Sequence, residues 1–103
     1  MRFAIRPVDG TLPELSYGAR GSELGCFVPN GVSWSQLNYG QGEGQVEIEG
    51  CEWGFYYGDP GQLSVILHAG EVSLERATSF VHEVAVRVLG EQPFVVSVVG
   101  VDS

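Results

Sequence analysis

Residues 62–101, QLSVILHAGEVSLERATSFVHEVAVRVLGEQPFVVSVVGV, hold the pattern that decides the fold. Leu74, Ala77, Val81, Val84 and Val88 recur at three- and four-residue steps, and Phe80, Ala85 and Leu89 widen the stripe. That spacing predicts one amphipathic helix over 73–89. Ser73 is placed to accept from a free first-turn N–H, and Gly90 supplies the left-handed residue that ends many helices. On either side, 62–69 and 93–101 read as strands, the second so uniformly apolar that both its faces are expected to be covered. A strand–helix–strand crossover makes its two strands parallel, either adjacent or with one strand between them.

Upstream lies EIEGCEWGFYYGDPG, 47–61. Val46 and Ile48 are even-numbered, whereas Cys51, Trp53, Phe55 and Tyr57 are odd. Strand side chains alternate strictly, so the phase change needs an extra residue, and a bulge at Gly50 is the expectation. GDPG at 58–61 reads as a turn, which folds 51–57 and 62–69 into an antiparallel hairpin. Further strand candidates are RFAI at the start, GCFV at 25–28, GVSWSQLNY at 31–39 and a short piece around Leu15–Tyr17. The glycine-rich NYGQGEGQ, 38–45, reads as a flexible loop or hairpin end, and 7–24 as mostly irregular. The expected fold is α+β: a single domain with a twisted, mainly antiparallel sheet of about five strands and the helix packed on one face.

Composition agrees with a folded globule: 103 residues, 44% apolar, 11% aromatic and 17% charged. No apolar run is long enough to cross a bilayer, and MRFAIRPVDG lacks a secretory pattern, so the expected location is the cytoplasm. Cys26 and Cys51 have neither C-x-x-C spacing nor a second pair, which points to reduced thiols and away from zinc.

Charge is polarised along the chain. Between Gly21 and Glu75 stand eight acids, among them Glu43, Glu47, Glu49, Glu52, Asp59, Glu71 and Glu75, with no Lys or Arg. Elsewhere five acids balance five arginines, so the whole net charge of -8 arises in that middle segment. A phosphate backbone must be met by cations, which argues against nucleic acid as a partner.

Catalytic patterns are weak. His68 and His82 are the two imidazoles, neither with a spaced partner, and His82 falls at the margin of the helical stripe. Cys51 served by His68 across the hairpin is one conceivable pair. A thiolate, however, is favoured by cations or a helix N-terminus, and Cys51 lies between Glu49 and Glu52. No calcium loop, Walker pattern or dinucleotide fingerprint occurs. The expectation is therefore no enzymatic activity, no cofactor and no metal. What remains is recognition: Glu47, Glu49, Glu52, Tyr56 and Asp59 on an outward acidic strip, extended by Glu43, Glu71 and Glu75, suited to a basic protein partner.

The segment 53–100, with its Trp/Tyr-rich strand, YGDP turn, apolar strand, S-x-x-x-A-x-x-F helix and closing strand opened by PF, resembles the small acidic immunity proteins of bacterial polymorphic toxin and contact-dependent inhibition systems. The resemblance covers roughly the C-terminal half. It implies an antidote that binds a cognate toxin domain, often a basic nuclease, and blocks it. The alternative is a self-associating structural or assembly subunit, as in a phage or secretion apparatus, that joins through free strand edges. The sequence leaves the oligomeric state open.

Overall fold

The structure, a computed structural model, describes residues 1–9, 28, 31–40, 43–57 and 61–100, with the backbone alone at 38–40, 43 and 57. The elements in chain order are β1 (Arg2–Pro7), β2 (Ser35–Gly40), β3 (Glu43–Ile48), β4 (Cys51–Tyr57), β5 (Leu63–Ala69), α1 (Leu74–Leu89) and β6 (Phe94–Gly100). They build one six-stranded sheet in the order β2-β3-β4-β5-β1-β6, one strand more than expected. Every neighbouring pair is antiparallel. The fold is α+β, and its crossover takes the second permitted form: β5 and β6 run parallel with β1 between them.

Local chemistry sets the ends of α1 as the sequence predicts. Ser73 is extended (φ -66°, ψ 154°), and its hydroxyl accepts the Arg76 N–H at 3.2 Å. Gly90, at φ 62°, donates its N–H to the Val86 carbonyl. Ala77, Val81, Val84, Ala85 and Leu89 are buried against the sheet. Leu74, read as part of the stripe, is 42% exposed, because the first turn enters from the preceding loop.

Alternate strand residues meet that helix. Phe3 and Ile5 of β1, Val46 of β3, Trp53 and Phe55 of β4, and Leu63, Val65 and Leu67 of β5 form the core with it. Val28, Val32 and Trp34 pack on the same core, and Trp34 is half-buried there. Among the described residues no helix is long and apolar enough to cross a membrane.

Several expectations need correction. The parity change at Gly50 is not a bulge. Ile48 pairs with Cys51, which leaves Glu49 (φ 51°) and Gly50 (φ 83°) as a two-residue hairpin turn. Positive φ at both central positions is the type I′ signature, whose twist matches that of the flanking strands. Reversing the chain across two residues puts even numbers on β3 and odd numbers on β4 on one face, the same phase change a bulge produces. Nor is β6 covered on both faces: it is an edge strand, and Val95, Val98 and Val99 are 53%, 45% and 59% exposed. The strand expected over 31–39 begins only at Ser35. Strands β2 and β3 run into 38–45, so that stretch is the end of a hairpin. In 25–28 only Val28 is described, as a buried bend, while Leu15–Tyr17 and 58–60 lie outside the described residues.

The turn yields a stability test. Nothing lies within 4 Å of a Cβ added at Gly50, so Gly50→Ala is purely a conformational change. It should cost about 1–2 kcal/mol in urea unfolding. Glu49→Asn, which suits positive φ, should raise stability by a few tenths of a kcal/mol. Equal stability of Gly50→Ala and the parent chain would contradict the turn assignment.

Candidate functional site

Three elements meet at one end of the sheet. The β3–β4 turn lies there, and Glu52 pairs with Ala69, which brings the end of β5 alongside. Residues 70–73 then lead directly into the first turn of α1. Gly70 makes this junction tight. At φ 100° it stands so close to β4 that an added Cβ would lie 2.8 Å from Cys51 Sγ and 2.9 Å from Cys51 Cα. The loop therefore rests on Cys51, whose thiol points at the Glu71 carbonyl at 3.9 Å.

Beside α1 this junction leaves a groove of about 430 Å³. Its floor is apolar, formed by Val32, Ile48, Cys51, Trp53, Val72 and Phe80. Trp53 and Phe80 pack with ring centroids 4.5 Å apart. Around it stand Glu49 from the turn, Glu71 from the loop, and Glu75 and Glu83 from α1, with Arg76 the one cation among the described lining residues. An apolar floor under carboxylates suits a long basic side chain, whose stem lies on carbon while its head meets the acids.

On the opposite face of the sheet, which α1 does not cover, Glu47 and Glu52 stand directly across from each other on β3 and β4. Like charges in that position are destabilising. Further along β4, the Tyr56 hydroxyl and His68 Nε2 lie 2.8 Å apart in a hydrogen bond. The two rings are edge to face at 6.1 Å. Both lean over Gly54, where an added Cβ would meet His68 Nε2 at 2.5 Å and the Tyr56 ring at 2.9 Å.

The expected acidic strip is thus two surfaces sharing the β3–β4 turn as a ridge. Glu47, Glu52 and Tyr56 lie together on the open face, whereas Glu49, Glu71 and Glu75 gather at the groove. Glu49 was expected to face outward with Glu47, and its place in the turn is what sends it to the other surface. Glu43 begins β3, away from the turn, with its Cα opposite Tyr56. Asp59 lies outside the described residues. Among the described residues no guanidinium is paired with Glu47, Glu49, Glu52, Glu71 or Glu75.

The pairing of Cys51 with His68 is ruled out by position. Cys51 lines the groove on the helix side, and His68 bonds Tyr56 on the other. Among the described residues no group of three or more His, Cys, Asp or Glu is placed to hold a metal ion. Sequence reasoning passed over Glu83 and the Gly54–Tyr56–His68 cluster. The one available signal was a glycine inside an aromatic strand, which often marks a close approach by other atoms.

Gly54→Ala should push the two rings aside and break the Tyr56–His68 bond. The expected loss is on the order of 1 kcal/mol, with a changed His68 ring resonance in NMR. In a His68→Ala background the same substitution should cost measurably less, and equal costs in both backgrounds would refute the steric account. A scan against family models and searches of curated proteins and of solved structures each return no match for this chain.

Proposed function

We propose that this chain is a non-catalytic binding protein of the immunity type, which neutralises a basic, nuclease-type toxin domain in the cytoplasm of a bacterium through its acidic end. The observation that carries the reading is the gathering of Glu47, Glu49, Glu52, Glu71 and Glu75 where the β3–β4 turn, the β5–α1 loop and the start of α1 meet. Carboxylates so collected accelerate encounter with a cationic surface, and the apolar groove among them offers a place for a side chain to be desolvated. The opposed Glu47–Glu52 pair supports the same reading, since a fold that carries such repulsion on an open face is poised to gain from a cation placed between the two.

A second reading, an assembly subunit joined through strand edges, is favoured by the uncharged edge strand β6.

The test takes as probe the C-terminal domain of the polypeptide encoded immediately upstream. Expressed alone it should arrest growth, and with this chain it should be neutralised in a 1:1 complex. Glu49→Lys/Glu71→Lys/Glu75→Lys should weaken that complex by orders of magnitude, mostly through slower, salt-sensitive association. Glu47→Lys should raise the melting temperature by relieving the Glu47–Glu52 repulsion and yet bind less well. Unchanged affinity in both variants would remove the acidic end from the interface, and absence of any complex would overturn the reading.

A further inference from the structure

We infer that β6 is the seam of a homodimer, in which two copies pair edge to edge about a two-fold axis at Ser97 to form one twelve-stranded sheet. The inference is independent of what the acidic end binds.

An unpaired edge is ordinarily blunted by a charge, a proline or a strong bulge. Strand β6, FVVSVVG, has no charged residue and no internal proline, and its ladder with β1 is regular from Phe94 to Val98. The register shift, which leaves Val99 as the extra residue, falls only at the far end. The opposite edge, β2, has its register shift in mid-strand, between Gln36 and Asn38. Of the two edges, β6 is the open one.

Its sequence fits a copy of itself. An isologous interface requires that whatever one chain presents be complementary to the same elements reversed. Around Ser97 the strand reads Val-Val-Ser-Val-Val in either direction. Antiparallel pairing centred there sets Ser97 opposite the partner's Ser97 and Val96 opposite the partner's Val98. Directly opposed residues of antiparallel strands share a face. Val96 and Val98 pair with the inward Ile5 and Phe3 of β1, and Ser97 with Ala4 on the other face. Valine therefore meets valine on the helix side, and serine meets serine on the open side.

Charge selects a second copy as the occupant. A cationic partner is drawn to the acidic end, which β5 and β1 separate from β6. Two chains of net charge -8 repel each other except where neither presents carboxylates. The strand behind β6 carries Arg2 and Arg6 and no acid, and with Asp9 and Glu91 standing only before the start of β6, approach centred on Ser97 leaves the acidic ends on the far flanks. Behind β2 stands β3, which carries Glu43 and Glu47, so approach through β2 would instead turn the acidic flanks of the two copies toward each other.

Pairing also covers apolar surface. Val98 is 45% exposed, and Val86, also on the β6 side of α1 one turn after His82, is 48% exposed. The His82 ring contacts Phe94 at 5.2 Å, which fixes that side of the helix. The two-fold axis sets both helices on the same face of the joined sheet, flanking the seam. Pairing is confined to two seven-residue edges and these valines, a small seam beside the roughly 1,200–2,000 Å² of specific interfaces, so the dimer should be concentration-dependent.

Sedimentation equilibrium from low-micromolar to near-millimolar chain should show the mass rising from one chain to two. Ser97→Lys and Ser97→Glu each place like charges against one another at the axis, and each alone should remain monomeric while circular dichroism stays that of the parent. Mixed in equal amounts, the two variants should regain the dimer mass, and salt should weaken it. That recovery occurs only where residue 97 faces its own copy. A parent chain that stays monomeric throughout, a dimer that survives in either variant alone, or a mixture that fails to recover would each overturn the inference.

Discussion

A helix is about 10 Å across with its side chains, whereas six strands spaced about 4.8 Å apart span about 24 Å between the outermost two. One helix cannot cover that width. Here α1 lies chiefly over β1 and β6, and the core toward β3 and β4 is completed by Val28, Val32 and Trp34. The groove over Trp53 is the space left between these two coverings. Among the described residues none stands beyond the helix to cover Val98 at the edge, and Val95, opposite Arg6, is on the face that α1 does not cover. The two surfaces to which roles are assigned are thus consequences of one under-covered sheet.

The polarity of charge in the chain becomes polarity in space by topology. Strands β2 to β5 form an up-and-down meander, so acids distributed over the middle segment fall on neighbouring strands. Pairing of Glu52 with Ala69 then brings the β5–α1 loop, with Glu71, beside the β3–β4 turn, with Glu49. The close seat of Gly70 on Cys51 holds that loop down. Glu49, Glu71 and Glu75, 4 to 26 positions apart in sequence, thereby become one rim.

Much of the fold was legible because it is encoded locally. Ser73 and Gly90 bound a helix whose stripe is regular, and the hairpin of β4 with β5 follows from two apolar runs around a turn motif. What misled was non-local. A bulge and a reversal at Gly50 give the same alternation of parity, and only the pairing of Ile48 with Cys51 separates them. A uniformly apolar strand reads as buried, yet Phe94–Gly100 is apolar and at an edge, since strand order is invisible to periodicity. In the site, the acids were found by charge alone, but their division between two faces depended on that misread turn. The Tyr56–His68 bond was beyond reach because it needs the exact register of β4 on β5, including the shift between Glu52 and Trp53.

Strand β1 also governs the order in which the molecule can assemble. It is the first strand in sequence, yet it sits between β5 and β6, with Arg2 opposite both Ile66 and Gly100. The meander from β2 to β5 can zip through short loop closures, while joining β1 to β6 pairs Arg2 with Gly100 and Phe3 with Val98, a long-range search that slows folding. Since α1 rests mainly on β1 and β6, its docking waits for that late pairing. Until β6 has joined β1, the helix therefore has the core residues of β1, β4 and β5 beneath it but lacks Phe94 and Val96, which close that side of the core.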